Sequence, residues 1–329
     1  MLRPHNSSGD LIADRRYAYA LDLAWEGDAA AAVELMEQAI ERAPQWPAAW
    51  RELGRLRRAT SDRDGAAAAF RECLRLDPAD PFGAILELAN LGSAVAVDIA
   101  PKAYVEALFD AYAADFDEAL VERLDYQAPT ALAAMLRRLK PAAQGKRFQR
   151  ALDLGCGTGL AGEAIRMDTI WLEGADLSDG MLDRARAKGV YDSLQRAELL
   201  DALNAGEANY DLIIAADVFA YVGDLSRIVA AIARRLVAGG VAAFTVESGG
   251  PADFVIRDSL RFAHAPDYLR RIAQEAGLEV IALETHALRK DRGAVVEGLI
   301  VALRKPRPNR DSDAGFGEQA GLDAPPAVA

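Results

Sequence analysis

Gly155, Gly157 and Gly159 stand on alternate positions after an apolar run, Ala151-Leu-Asp-Leu154, and a helix-forming stretch follows them. Glycines there let backbone N–H groups approach a ligand closely, and a helix N-terminus favours a negative group. Dinucleotide enzymes use a similar turn, so the glycines alone are not selective. Three further features narrow the chemistry. Asp153 lies inside the strand, two residues before the first glycine, where a carboxylate can meet an ammonium group directly or through water. Asp176 follows 23 residues later, at the end of the next apolar run, where a carboxylate can take both hydroxyls of a ribose. A third run, Tyr210 to Tyr221, leads into Asp217-Val218-Phe219. Together these exclude most other nucleotide folds.

Such residues must sit at the ends of strands in a covered sheet. Ala151–Leu154, Ile170–Ala175, Tyr210–Ala215, Val241–Val246, Leu278–Leu283 and Val295–Leu303 read as strands. Helical stretches fall between them, among them Ser226–Leu236 and Pro266–Ala276, and this alternation predicts a mostly parallel sheet with helices on both faces. No helix separates the last two runs, so they should close the sheet as an antiparallel pair. Upstream, Tyr104–Leu124 and Pro129–Leu139 carry apolar residues at helical spacing, and Lys140–Arg150 reads as a polar linker.

The N-terminal part has a different period. Pro44 and Pro78 lie 34 residues apart, as do Pro47 and Pro81. Gly27, Ala32, Met36 and Ala39 precede the first proline; Trp50, Leu53, Gly54, Ala66, Phe70 and Cys73 precede the second. This resembles the tetratricopeptide pattern, in which small residues let paired helices approach, an aromatic fills the space between units and Pro ends the second helix. The first copy departs from it, with Arg16 and Tyr19 where Trp and Leu are usual, and Pro81–Leu91 reads as a capping helix. An Ala-rich helical bundle is the plainer alternative. The expected division is therefore 13–92 helical repeats, 93–150 linker and lid helices, 151–305 catalytic domain, and a disordered tail over 306–329, rich in Pro, Gly, Asp and Ala.

Composition limits the partners. The formal net charge of −12 repels phosphate backbones, which argues against a nucleic-acid footprint. Cys73 and Cys156 give neither a disulfide framework nor paired metal-ligand spacing, so no metal is expected. Charges interrupt residues 1–20 where a secretory signal would be apolar, and no run of about 18 apolar residues could span a membrane. A cytoplasmic protein is expected.

Residues from about 104 to 305 resemble the class I S-adenosylmethionine-dependent methyltransferases, and more narrowly the bacterial ones with an N-terminal tetratricopeptide unit. The resemblance rests on Leu108-Phe-Asp-Ala-Tyr-Ala-Ala-Asp-Phe-Asp117, Leu124-Asp-Tyr-Gln-Ala-Pro129, Leu152-Asp-Leu-Gly-Cys-Gly-Thr-Gly-Leu160, Asp176-Leu-Ser-Asp-Gly-Met181, Asp217-Val-Phe-Ala-Tyr-Val222, Gly239-Gly240 and Arg261-Phe-Ala-His264. It implies a Rossmann-like sheet and S-adenosylmethionine as cofactor. It also implies roles: Gly155, Gly157 and Gly159 around the methionine part with Asp153 beneath, and Asp176 on the ribose. Leu177 and Met181 would pack on the adenine, with Glu198 at its amino group and Leu199 beside it. Asp217 and Val218 would close the methionine end, and Tyr112 and Phe116 would lie over the cofactor as a lid. Cys156, inside the turn, reads as a space-filler and Cys73 as core.

Methyl transfer from a sulfonium is an in-line displacement, so alignment and exclusion of water dominate. An amine or hydroxyl acceptor must also lose a proton. Asp217, Tyr221, Glu247 and His264 are the candidate bases. His264 is preferred for its loop on the family's acceptor side, and Glu247 could instead bind substrate. His5 and His286 have no supporting context. The Pro-Pro-Tyr signature of many base- and amide-methylating enzymes is absent after Asp217, and two cysteines argue against a thiol relay on metalloids. A small-molecule O, N or S nucleophile is the expected acceptor. The alternatives are a protein acceptor docked on the repeats, self-association through them, or a cofactor-binding adaptor without catalysis.

Overall fold

In the computed structural model, residues 7–93, 96–112, 125–140, 146–206, 209–291 and 293–308 are described. Five helices come first: α1 (Leu11–Glu26), α2 (Ala29–Arg42), α3 (Pro47–Ala59), α4 (Arg63–Leu76) and α5 (Ala84–Asn90). Their boundaries follow local chemistry. Asp10, Asp28 and Asp62 accept hydrogen bonds from first-turn amides of α1, α2 and α4, and Pro47 opens α3. Gly54 of α3 faces the Phe70 ring of α4 so closely that a Cβ there would lie 2.5 Å from Phe70 Cε1. A small residue opposite an aromatic is what lets this helix pair close. Over Pro81–Leu91, where a capping helix was expected, the chain forms the shorter helix α5.

Two more helices, α6 (Lys102–Tyr112) and α7 (Ala128–Leu139), lead to the sheet. Its strands are β1 (Phe148–Leu154), β2 (Thr169–Asp176), β3 (Ser193–Arg196), β4 (Tyr210–Ala215), β5 (Leu236–Ser248), β6 (Phe254–Ile256), β7 (Phe262–His264), β8 (Glu279–Asp291) and β9 (Ala294–Arg304). The helices between them are α8 (Leu160–Ile165), α9 (Asp179–Lys188), α10 (Leu199–Asn204), α11 (Ser226–Arg235) and α12 (Pro266–Glu275). Strands β3-β2-β1-β4-β5 run parallel in that order. β9 lies antiparallel beside β5, and β8 pairs antiparallel with β9. Glu247 pairs with Ala263 of β7 and with Gly298 of β9, so β7 continues on the β4 side of β5 beyond the end of β4.

Alternation along the strands sorts side chains between the two faces. Leu152, Leu154, Ile213 and Phe244 pack with α10, α11 and α12, while Ala151, Leu212, Ile214 and Val241 pack with α7. Buried on both faces, these strands read as continuous apolar runs. β3, β6 and β7 were not legible in the sequence: they span only 4, 3 and 3 residues, and β3 is half-exposed and polar. The helical unit is not separate from the sheet. Leu86 of α5 is buried with Ala100, Tyr221, Leu260 and Phe262, and Asn90 donates to Asp258 at 3.0 Å. Among the described residues no helix is long and apolar enough to cross a membrane.

Candidate active site

A cavity of about 1060 Å³ opens at the C-terminal ends of β1, β2 and β4, where ligands bind in open α/β sheets. Gly155, Cys156, Gly157, Asp176, Leu177, Glu198, Leu199, Asp217, Val218 and Tyr221 all line it. Tyr112 closes α6, and Phe116 lies outside the described residues, as does most of the expected tail. Gly159 caps the start of α8 at φ +95°.

Backbone shape makes the cradle. Gly155 sits at φ +65°, and a Cβ there would come within 2.5 Å of Val218 Cγ2, so the first turn closes on the loop after β4 with no room for a side chain. The Gly155 and Cys156 amides both donate to the Ala175 carbonyl, at 2.7 and 3.0 Å, tying the turn to β2. Asp176 Oδ2 accepts from the Gly157 amide and Oδ1 from the Ser178 amide, each at 2.9 Å, which fixes its carboxylate at the strand end. Burial raises its pKa, and those amides oppose the rise. Each oxygen keeps a lone pair for a ligand hydroxyl.

Asp153 is fully buried beneath the turn and not in the cavity wall. Its Oδ2 accepts from the Tyr191 hydroxyl at 2.7 Å, and its Oδ1 is buried without a hydrogen-bond partner. Desolvation pushes its pKa up to about 7. Met181, expected against adenine, is likewise fully buried and points its bulk into the core instead of the cavity. Burial holds the Cys156 thiol far above its usual range, which leaves it a space-filler and not a nucleophile.

Helix α6 is fastened over the same residues. Asp110 accepts from Ser178 Oγ, Glu106 pairs with Arg196, and Lys102 Nζ lies 3.2 Å from Glu198 Oε1. Glu198, expected at an adenine amino group, therefore also serves as an anchor for this helix.

The geometry departs from the expected proton chemistry. His264 does not line the cavity. Its ring is fully buried, and Nε2 lies 2.9 and 3.0 Å from the Val222 and Gly223 carbonyls, which can only accept. Burial lowers its pKa to about 4, so the ring is neutral, with Nε2 donating to these carbonyls and Nδ1 buried without a partner. Glu247 is also removed from the cavity wall. It is buried, ion-paired with Arg289, and has Arg261 Nε at 3.5 Å. Asp217 is held at φ +59° and accepts from Arg261 Nη2 at 2.8 Å and Arg289 Nη1 at 3.1 Å. Two guanidiniums thus occupy both carboxylates. Tyr221 does face the cavity, its phenol pKa raised by burial, with Phe109 edge-on and Arg261 over its ring. Arg261, Arg289, Tyr104 and Tyr126 are cavity residues that sequence reasoning passed over. Arg261 stood inside a quoted motif, but nothing local marks which way a loop arginine turns.

Residues 152–242, which hold the turn, Asp176, Asp217 and Val218, match the methyltransferase-domain family. This stretch is a methyltransferase domain. Over 163 residues the chain is 28% identical to a ubiquinone biosynthesis O-methyltransferase from Bordetella avium, an overlap covering 44% of this chain and 66% of that protein. A ubiquinone biosynthesis O-methyltransferase from Thiobacillus denitrificans is 30% identical over 152 residues, covering 40% and 65%. Human methyltransferase-like protein 27 is 31% identical over 119 residues, covering 36% and 46%. The chain thus spans less than two thirds of the length of each of these relatives. A solved structure of magnesium protoporphyrin IX methyltransferase from Synechocystis with bound SAM superposes with a TM-score of 0.48 at 16% identity, covering 64% of this chain and 99% of that one. That Synechocystis structure holds SAM, the cofactor that the sequence resemblance implies for this chain. The residues present fit it: a cradle that a Cβ would fill, a fixed carboxylate at the end of β2, and an unpartnered carboxylate oxygen beneath the turn.

Proposed function

We propose that the protein transfers the methyl group of S-adenosylmethionine to a small-molecule nucleophile. The carrying observation is Asp176, whose two oxygens are aimed by the Gly157 and Ser178 amides into the cavity that the glycine turn shapes. Asp176 would hold the ribose and the turn the methionine part, with Leu177 and Leu199 beside the adenine. The cofactor supplies an activated methyl group on a sulfonium. The chain's own residues then orient the acceptor and exclude water, which in favourable cases is worth about 7–11 kcal/mol. Likeness to ubiquinone biosynthesis O-methyltransferases supports an oxygen acceptor.

The 34-residue period and the Gly54–Phe70 closure support reading α1 to α5 as a tetratricopeptide unit. Ile85 of α5 lines the cavity, which favours a role in walling the acceptor space over docking a protein. Methyl-labelled S-adenosylmethionine, incubated with the protein and an extract of its own cells, tests the reading. Label in the small-molecule fraction with wild type but not with Asp176→Ala is the expected result. Label in protein would move the acceptor to a macromolecule. Absence of label despite cofactor binding would overturn the catalytic reading.

A further inference from the structure

Beside Asp217 the cavity wall carries two guanidiniums, those of Arg261 and Arg289. Arg289 spans Asp217 and Glu247, and Arg261 meets the other oxygen of Asp217. Arg257 Nε stands 3.7 Å from Glu247 Oε2, so three guanidiniums face two carboxylates in this group. The Nε–H of Arg261 is buried and makes no hydrogen bond, although Glu247 Oε1 lies 3.5 Å away. A buried donor left unmade is costly, and an anionic oxygen in the cavity would remove that cost.

The surroundings state what else the occupant needs. Ile85, Tyr104, Leu108, Phe109, Tyr126 and Tyr221 give this cavity an apolar, largely aromatic wall. The space of about 1060 Å³ lies at the upper end of the roughly 300–1,000 Å³ of ligand pockets. Arg289, Ser259 and Asp291 also line a neighbouring recess of about 510 Å³, reached past Asn90 and Arg257. Asp258 and Arg257 are exposed and Asp291 half-exposed there, so water screens these charges more than it screens Arg261 and Arg289.

We propose that Arg261 and Arg289 select an acceptor with an apolar or aromatic body that carries a carboxylate. The inference rests on the methyl-transfer reading of this cavity and names the class of its acceptor. Asp217 and Glu247 hold both guanidiniums in place before any ligand arrives, and the unfilled Arg261 donor leaves one charge-assisted bond for a carboxylate oxygen.

The test is equilibrium binding of 2-naphthoate and its neutral counterpart 2-naphthamide to the full chain saturated with S-adenosylhomocysteine. In wild type the acid should bind at least about tenfold tighter than the amide, as a charge-assisted bond predicts. Arg261→Met and Arg289→Met should each lower that ratio, and Arg261→Lys should restore part of it. A ratio near one in wild type overturns the proposal without any variant. So does a ratio that survives in both methionine variants, if their circular dichroism shows a native fold. Failure of S-adenosylhomocysteine to bind would strike the methyl-transfer reading instead, and the acid-to-amide ratio is then read on the chain alone.

Discussion

The Tyr191 hydroxyl donates to Asp153 Oδ2 at 2.7 Å across 38 residues of sequence, and it is the one side-chain donor that the fully buried carboxylate has among the described residues. Desolvation raises the Asp153 pKa from 3.8 to about 7 in the folded protein. A raised acid favours folding fully below pH 3.8, and that contribution is lost as pH rises through about 7. The cofactor-free protein should therefore lose stability over this window, and Asp153→Asn should flatten that part of the profile in denaturant titrations across pH. If the cofactor's ammonium meets Asp153, S-adenosylhomocysteine should also bind more tightly as pH climbs toward 7. Tyr191→Phe should move that rise to higher pH, because the neutral acid loses less than the anion does. A flat affinity profile in wild type would separate Asp153 from cofactor binding.

Asp176→Ala should weaken S-adenosylhomocysteine binding about a hundredfold or more, since two hydrogen bonds to a charged group are lost at about 1.5–3 kcal/mol each. The Gly157 amide loses its partner in the same variant. Asp176→Asn keeps an acceptor and should recover part of the affinity. Isothermal titration beside a thermal melt separates lost binding from lost fold.

Gly155→Ala meets two obstacles, a left-handed backbone and a Cβ contact of 2.5 Å with Val218 Cγ2. The first costs about 1–2 kcal/mol and the second about 1–3 kcal/mol. Adding Val218→Ala should relieve only the contact. The double variant should thus melt between wild type and the single variant, and full recovery would show that the positive φ costs nothing.

His264→Asn should lower the melting temperature yet leave kcat within about threefold of wild type, whereas removal of a working general base costs about 10²–10⁴-fold. Its Nε2 is engaged by the Val222 and Gly223 carbonyls, and the ring does not line the cavity. A fall of several hundredfold in kcat with the fold intact would return His264 to the chemistry.

Leu86→Ala probes the seam between the helical unit and the sheet. Emptying a fully buried leucine site typically costs about 2–5 kcal/mol. Because its neighbours include Tyr221, the acceptor KM should rise while S-adenosylhomocysteine affinity stays close to wild type. Equal loss of both would mean that α5 supports the whole domain and not the acceptor space.

Local features were legible in the sequence because their causes are local. The glycine turn, Asp176 at a strand end, the α11 and α12 boundaries and the antiparallel closing pair each depend on a few consecutive residues and their periodicity. The pattern that marked Gly54 and Phe70 became a single close contact, since both sit on helices that neighbouring residues specify. What the tertiary structure alone decided are orientations and charges set by distant partners. His264, expected in a loop, instead ends the short strand β7, and its ring turns inward to carbonyls more than 40 residues upstream. Glu247 lies near the end of β5, close to where an acceptor contact was expected, but Arg289, 42 residues away, takes its carboxylate. Met181 stands in the right motif and is drawn into the core by apolar burial. The backbone periods of a sequence state where a side chain starts. Its final direction is chosen by the groups that must be desolvated together with it, and these meet only when the chain is folded.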